Sequence, residues 1–184
     1  MNAMPDKTLG AALLVRARNA IAGEFGRDAA AEPAHPALHQ PGATFITLTQ
    51  RGALRGCIGS LESWRPLDQD VRANARAAAF RDPRFMPLNE DELDATRVEV
   101  SLLTAAVPMS FTSEADAIHQ LRPNVDGVII ECGLHRGTFL PQVWESLPEP
   151  RLFMAHLKQK AGLSPNFWSA DVKLSRYEVQ KWTE

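Results

Sequence analysis

The chain has 184 residues, 45% of them hydrophobic and 23% charged, with a formal net charge of −2. That length suits one domain, or one domain with a lobe, and it buries enough apolar surface to need no disulfide or metal staple. The charge balance argues against strong sequence-independent binding to nucleic acid, two cysteines make no disulfide framework, and no run approaches the ~18 apolar residues of a membrane span.

The opening MNAMPDKTLGAALLV has no basic segment followed by a long apolar run, so no signal peptide is expected and a cytoplasmic protein is. Leu9, Ala12, Leu13, Ala17, Ala20 and Ile21 recur at helical spacing and predict a helix from Thr8 to Phe25. Asp6 or Thr8 caps it, and Gly26 ends it. RDAAAEPAHPALHQPG, with three prolines, reads as a connecting loop. ATFITLTQ and LRGCIGSL read as two strands joined by a turn at Gly52, which places Cys57 on the second strand of a hairpin.

Pro66 opens a helix running to about Phe80, with Leu67, Val71, Ala75, Ala78 and Ala79 on one face. RDPRFMP breaks it, and Asn89 with Glu92 has the spacing of a capping box. TRVEVSLLT alternates as a strand, with Val98, Val100 and Leu102 on its apolar face. A helix capped by Ser113 follows. NVDGVIIECGLHRGTFLP predicts a hairpin turning near His135 to Gly137, and PRLFMAHLKQKAG a helix with proline at its start and glycine at its end. DVKLSRYEVQKW is read as a last strand whose alternation slips around Ser175, the signature of a bulge.

Strands and helices do not alternate one for one. The fold class expected is α+β: a mainly antiparallel sheet holding ATFITLTQ, RVEVSLLT, GVIIE and KLSRYEV, with packed helices. The larger part is assigned to residues 1–64 and 95–184, and a smaller helical lobe to about 65–94.

Several segments carry candidate chemistry. Cys57 is a candidate nucleophile: Arg55, two residues away, shares its face on an extended strand and favours a thiolate there. Gly56 and Gly59 let a substrate approach the backbone, where amides bind an oxyanion. The alternative is a small, inert, buried cysteine. In RDPRF, Asp82, Arg84 and Phe85 form a proline-fixed turn that suits a carboxylate or phosphate; alternatively Asp82 caps the turn and Arg84 pairs with it or with Glu99. Glu99 is either surface polarity or a carboxylate lining a cleft beside Cys57. The pair Cys132 and His135 has ligand-like spacing but lacks a second pair, so no metal is expected. No nucleotide loop, GxSxG or CxxxCxxC cluster is present, so no cofactor is expected either.

LRGCIGSLESWRPL, AAAFRDPRFMPL, VEVSLL, DGVII, GTFLPQVW and LKQKAG occur in this order. Together they resemble the AMMECR domain, from about Phe45 to Tyr177, and the FLPQVWE form resembles its prokaryotic branch, AmmeMemoRadiSam system protein A. The resemblance implies an α+β fold and, as partners, a Memo-like protein and a radical S-adenosylmethionine enzyme; it names no reaction. It also gives Lys160, near a helix C-terminus, a role at the site beyond the favourable helix-dipole contact that accounts for it by itself. Three functions stay open: a subunit using Cys57 as a cleft thiol on a small-molecule or nucleic-acid substrate, a non-catalytic module binding a substrate or partner, and a nucleic-acid binder using Arg72 to Arg84.

Overall fold

The computed structural model describes residues 5–184, which form two compact units. The first runs to Leu103 and includes Gln180–Glu184; the second is Thr104–Val179. No helix among the described residues is long and apolar enough to cross a membrane.

In the first unit, α1 (Lys7–Ala22) is capped by Asp6, whose carboxylate accepts the Thr8 and Leu9 amides. A short 3-10 turn extends it to Phe25, and Gly26 stops it at φ +74°. Strand β1 (Ala43–Gln50) pairs antiparallel with β2 (Ala53–Gly59) through the turn Arg51–Gly52, where both residues have positive φ. On its other side β1 pairs antiparallel with β3 (Thr96–Leu103). Four strands complete the sheet in the order β2-β1-β3-β8, with β8 at Val179–Thr183.

Helix α2 (Leu67–Phe80) packs with α1 over one face of this sheet, and Ala12, Leu13, Ala17 and Ile21 meet Ile46, Leu48, Val71, Ala75, Val98 and Val100 in one core. The stretch 65–94 belongs to this unit. Asn89 and Glu92 form the expected capping box ahead of β3.

The second unit has its own sheet, β4-β7-β5-β6, built from Val107–Pro108, Lys173–Tyr177, Gly127–Cys132 and His135–Phe139 in that order. Helices α3 (Glu114–Gln120) and α4 (Pro150–Lys160) belong to it. Its core holds Val128, Ile130, Met154, Leu157 and Leu174, with the Trp144 ring stacked on Phe153 at 3.7 Å. Trp144 is fully buried because its indole N–H finds the Asp126 carbonyl at 2.8 Å.

The α+β class holds, with every described strand register antiparallel. Three details differ from the sequence reading. The four named strands divide between two sheets rather than sharing one. The hairpin turns at Gly133–Leu134, with Gly133 at φ +59°, and His135–Gly137 lie in β6. The slip in the last segment is not a bulge: β7 ends at Tyr177 and β8 starts at Val179, so the chain leaves one sheet and joins the other. Val98, Val100, Val128 and Ile130 are buried as expected, and Leu102 is half-buried.

Candidate functional site

The antiparallel register aligns Cys57, Thr47 and Glu99 in one row across β2, β1 and β3. Side chains alternate along a strand, so these three share the face opposite the helices. All three are half-buried. The Thr47 hydroxyl lies 3.5 Å from the Cys57 sulfur. Glu99, two strands from Cys57 and so about 10 Å across, faces β8: its carboxylate accepts the Thr183 hydroxyl at 3.3 Å and lies 3.9 Å from the Lys181 ammonium.

Strand β2 is a sheet edge, and its outward backbone groups need partners. At Cys57 the RDPRF turn supplies them. The Cys57 N–H donates to Asp82 Oδ2 at 2.8 Å, and Arg84 Nη2 donates to the Cys57 carbonyl at 3.2 Å. Asp82 is buried, and it also accepts the Arg84 amide at 3.1 Å and the guanidinium at 3.0 and 2.7 Å. Its carboxyl therefore titrates far below the usual carboxylate range, first through Arg84 and then through the backbone amides of Cys57 and Arg84. The Arg84 guanidinium is held above its ordinary value, first by its hydrogen bonds to Asp82 and then by the Asp82 charge. The capping alternative for Asp82 is thus the observed one, and the partner of Arg84 is Asp82 rather than Glu99.

Arg55 does not reach Cys57 as a free cation. A register shift follows Leu48 in the hairpin, and the Arg55 guanidinium forms a two-bond fork with Glu92, both bonds 2.9 Å, and donates to the Met86 carbonyl at 3.0 Å. Arg55 first, then the Asn89 amide and Gln50, lowers the Glu92 carboxyl to about 2. Arg55 and Arg84 both lie over the Phe85 ring, at 6.0 and 5.5 Å.

The two glycines have packing roles. A Cβ on Gly56 would meet the Ala78 carbonyl oxygen at 2.2 Å, so α2 sits against the bare backbone of β2. A Cβ on Gly59 would meet the Phe45 ring at 2.3 Å. Lys160 belongs to the second unit, where it donates to the Thr138 carbonyl at 2.8 Å and lies 5.1 Å from the Phe139 ring. In the same unit the Cys132 sulfur faces the Ser169 hydroxyl, and His135 Nδ1 lies 3.0 Å from the Ala161 carbonyl oxygen.

The sequence reading passed over the groups that hold the other end of β2. Asp70 is fully buried and accepts the Thr44 amide and hydroxyl at 2.8 and 2.7 Å, the Ser60 hydroxyl at 2.7 Å and Arg65 Nε at 2.8 Å. Asn74, one turn on, donates to Asp70 at 3.0 Å and to the Thr44 carbonyl at 3.0 Å. The signal was present: Asp70 and Asn74 are four apart on the side of α2 that also carries Leu67, Val71 and Ala78.

The AMMECR1 family model matches residues 14–182. The chain belongs to the AMMECR1 family. A protein of Methanothermobacter thermautotrophicus is similar to it, 39% identical over 80% of this chain and 78% of that one. A protein of Saccharolobus islandicus is 38% identical over 94% of this chain and 80% of its own. An uncharacterized protein from Pyrococcus horikoshii, known from its crystal structure, is similar in fold: the TM-score is 0.77 at 32% identity, covering 98% of this chain and 93% of that one. The family thus accounts for the motif order around Cys57, Asp82 and Glu99, and leaves their chemistry to the geometry above.

Proposed function

We propose that this chain is the AMMECR-type component of a three-protein system with a Memo-like protein and a radical S-adenosylmethionine enzyme, and that the turn and sheet face around Cys57 form its binding surface. The observation that carries the reading is the Asp82–Arg84 clamp. A buried carboxylate fixes a guanidinium whose side chain is still 54% exposed, directly on the Cys57 carbonyl. Next to it Met86 is 80% exposed and Phe85 is half-buried under two cations. A fixed arginine beside exposed apolar side chains is the composition of a contact surface, because little side-chain freedom is lost on binding.

This geometry favours binding over chemistry at Cys57. The Cys57 amide is already bonded to Asp82, and Glu99 faces Lys181 and Thr183. The thiol reading keeps one support, the Thr47 hydroxyl beside the sulfur on the side of the sheet away from the helices.

The test is co-purification with a Memo-like protein and a radical S-adenosylmethionine enzyme co-expressed with this chain. Met86→Glu and Arg84→Ala should weaken capture about tenfold or more, as expected of contact residues at an interface centre, and Cys57→Ser should leave capture unchanged. Loss of the system's activity in Cys57→Ser with capture intact would move the assignment to thiol chemistry. Unchanged capture in Met86→Glu would remove this face as the binding surface.

A further inference from the structure

Lys158 lies on the buried side of α4, with its side chain only 2% exposed. Met154 and Leu157, on the same side of the helix, belong to the second core. The Lys158 ammonium donates to the Glu114 carboxylate on α3 and to the Pro165 carbonyl at 3.4 Å, and it lies 5.5 Å from the centre of the Trp168 ring. The Glu114 side chain is 34% exposed, so the pair runs from the interior of this unit to its surface. Stability alone is a poor reason for such a pair, because an apolar side chain of similar volume often serves as well or better. A buried amine with a carboxylate beside it is, in contrast, the arrangement of a lysine that reacts with carbonyl carbon.

The pair borders empty space. Lys158 and Glu114 line a cavity of about 280 Å³, whose apolar wall is Ile118, Ala155 and Pro165. The side chains of Arg151 and Asn166 line it too, and neither has a hydrogen-bond or ion-pair partner among the described residues. A second cavity of about 300 Å³ shares Ile118 and Arg151 with the first, so the space extends along α3 and α4.

We infer that Lys158 forms an imine with a small apolar aldehyde in this cavity, with Glu114 as the proton acceptor and counter-ion. Glu114 takes one proton from the ammonium. The free amine nitrogen attacks the carbonyl carbon, a C–N bond forms, and the oxygen becomes a hydroxyl with a proton from the nitrogen. Glu114 returns its proton to that hydroxyl, the C–O bond breaks, and water leaves. The net change is ammonium plus aldehyde to iminium plus water, with no oxidation or reduction. The iminium keeps one positive charge on the nitrogen, so Glu114 and the Pro165 carbonyl still face a cation and no buried charge is left unpaired. The apolar wall suits the body of the aldehyde and excludes the water that would hydrolyse the product. Arg151 and Asn166 offer N–H donors for the carbonyl oxygen. This site lies within the second unit and is independent of the binding surface proposed around Cys57.

The test is reductive trapping. The full chain is incubated with a concentration series of butanal and with sodium cyanoborohydride, which reduces an iminium to a stable secondary amine, and the labelled lysines are counted by peptide mass spectrometry. Lys7, Lys160, Lys173 and Lys181, all exposed, serve as internal standards. Lys158 should be labelled saturably and about tenfold or more faster than these four. Glu114→Gln still bonds the ammonium but cannot take its proton, and it should slow labelling of Lys158 about tenfold or more. Ala155→Leu fills the cavity and leaves the ion pair in place, so it should protect Lys158 while the four standards react as before. The melting temperature of each variant shows that the fold is retained. Lys158 labelled no faster than the standards, or only once urea unfolds the chain, overturns the site and leaves the pair a packing contact. Equal rates in wild type and both variants overturn it as well.

Discussion

Asp82 accepts the amide of Cys57 at 2.8 Å, although the two lie 25 residues apart in the chain. The bond explains how an edge strand can carry a cysteine with its backbone facing outward: a buried carboxylate and its arginine supply the contacts that a neighbouring strand would. Asp82→Ala should cost about 2 kcal/mol, the range for an unpaired amide plus a lost charged hydrogen bond. Chemical denaturation measures it. A loss below the precision of that measurement would mean that water replaces the carboxylate without cost.

The glycines of LRGCIG separate by what they touch. Gly56→Ala drives a methyl into the Ala78 carbonyl, which is helix backbone and cannot turn aside. We expect a loss of about 2–4 kcal/mol. Gly59→Ala meets the Phe45 ring, a half-buried side chain that can move, and should cost about 1 kcal/mol. Equal losses for the two variants would contradict the packing account.

Acid should loosen the Arg55–Glu92 fork. The Glu92 carboxyl sits at about 2 in the folded chain against an ordinary 4.5. A carboxyl held low in the folded state contributes stability that is present in full above pH 4.5 and is lost as pH falls toward 2. Glu92→Gln should therefore flatten the fall in stability across that window relative to wild type, as read by urea midpoints at successive pH values. An unchanged slope would show that the fork does not set it.

Asp70 gathers four hydrogen-bonding groups from Thr44, Ser60 and Arg65, with Asn74 as a fifth. Asp70→Ala leaves the Arg65 charge without its partner, and breaking a buried pair in this way costs about 3–5 kcal/mol. The segment from Ser60 to Pro66 should become the first site of limited proteolysis. Cleavage elsewhere first would show that other contacts hold that loop.

Alkylation distinguishes the two cysteines. Cys57 lies on the sheet face away from the helices, while Cys132 packs against the second core. In the folded chain Cys57 should react first, because its sulfur lies on the sheet face that no helix covers. Protection of Cys57 until the chain unfolds would make it a packing residue.

The sequence by itself determined the element types, the buried faces of β3 and β5, the caps at Asn89 and Ser113, and the family, because each rests on local periodicity, local hydrogen bonding or motif order, while the choice of Asp6 over Thr8 as the cap of α1 came from the structure. It also singled out Cys57, Asp82 and Arg84, which do meet. Partner choice was settled only in three dimensions. Alternation tells which side of a strand is apolar but not which strand lies beside it, so four strands read as one sheet fall into two, and a slip read as a bulge is a change of sheet. The same reason governs the charges. Arg55 stands two residues from Cys57 yet binds Glu92, and Thr47 and Asp70 join the sites only through register and helix packing, because an ion pair or a buried carboxylate is satisfied by whatever the fold brings within 3 Å of it.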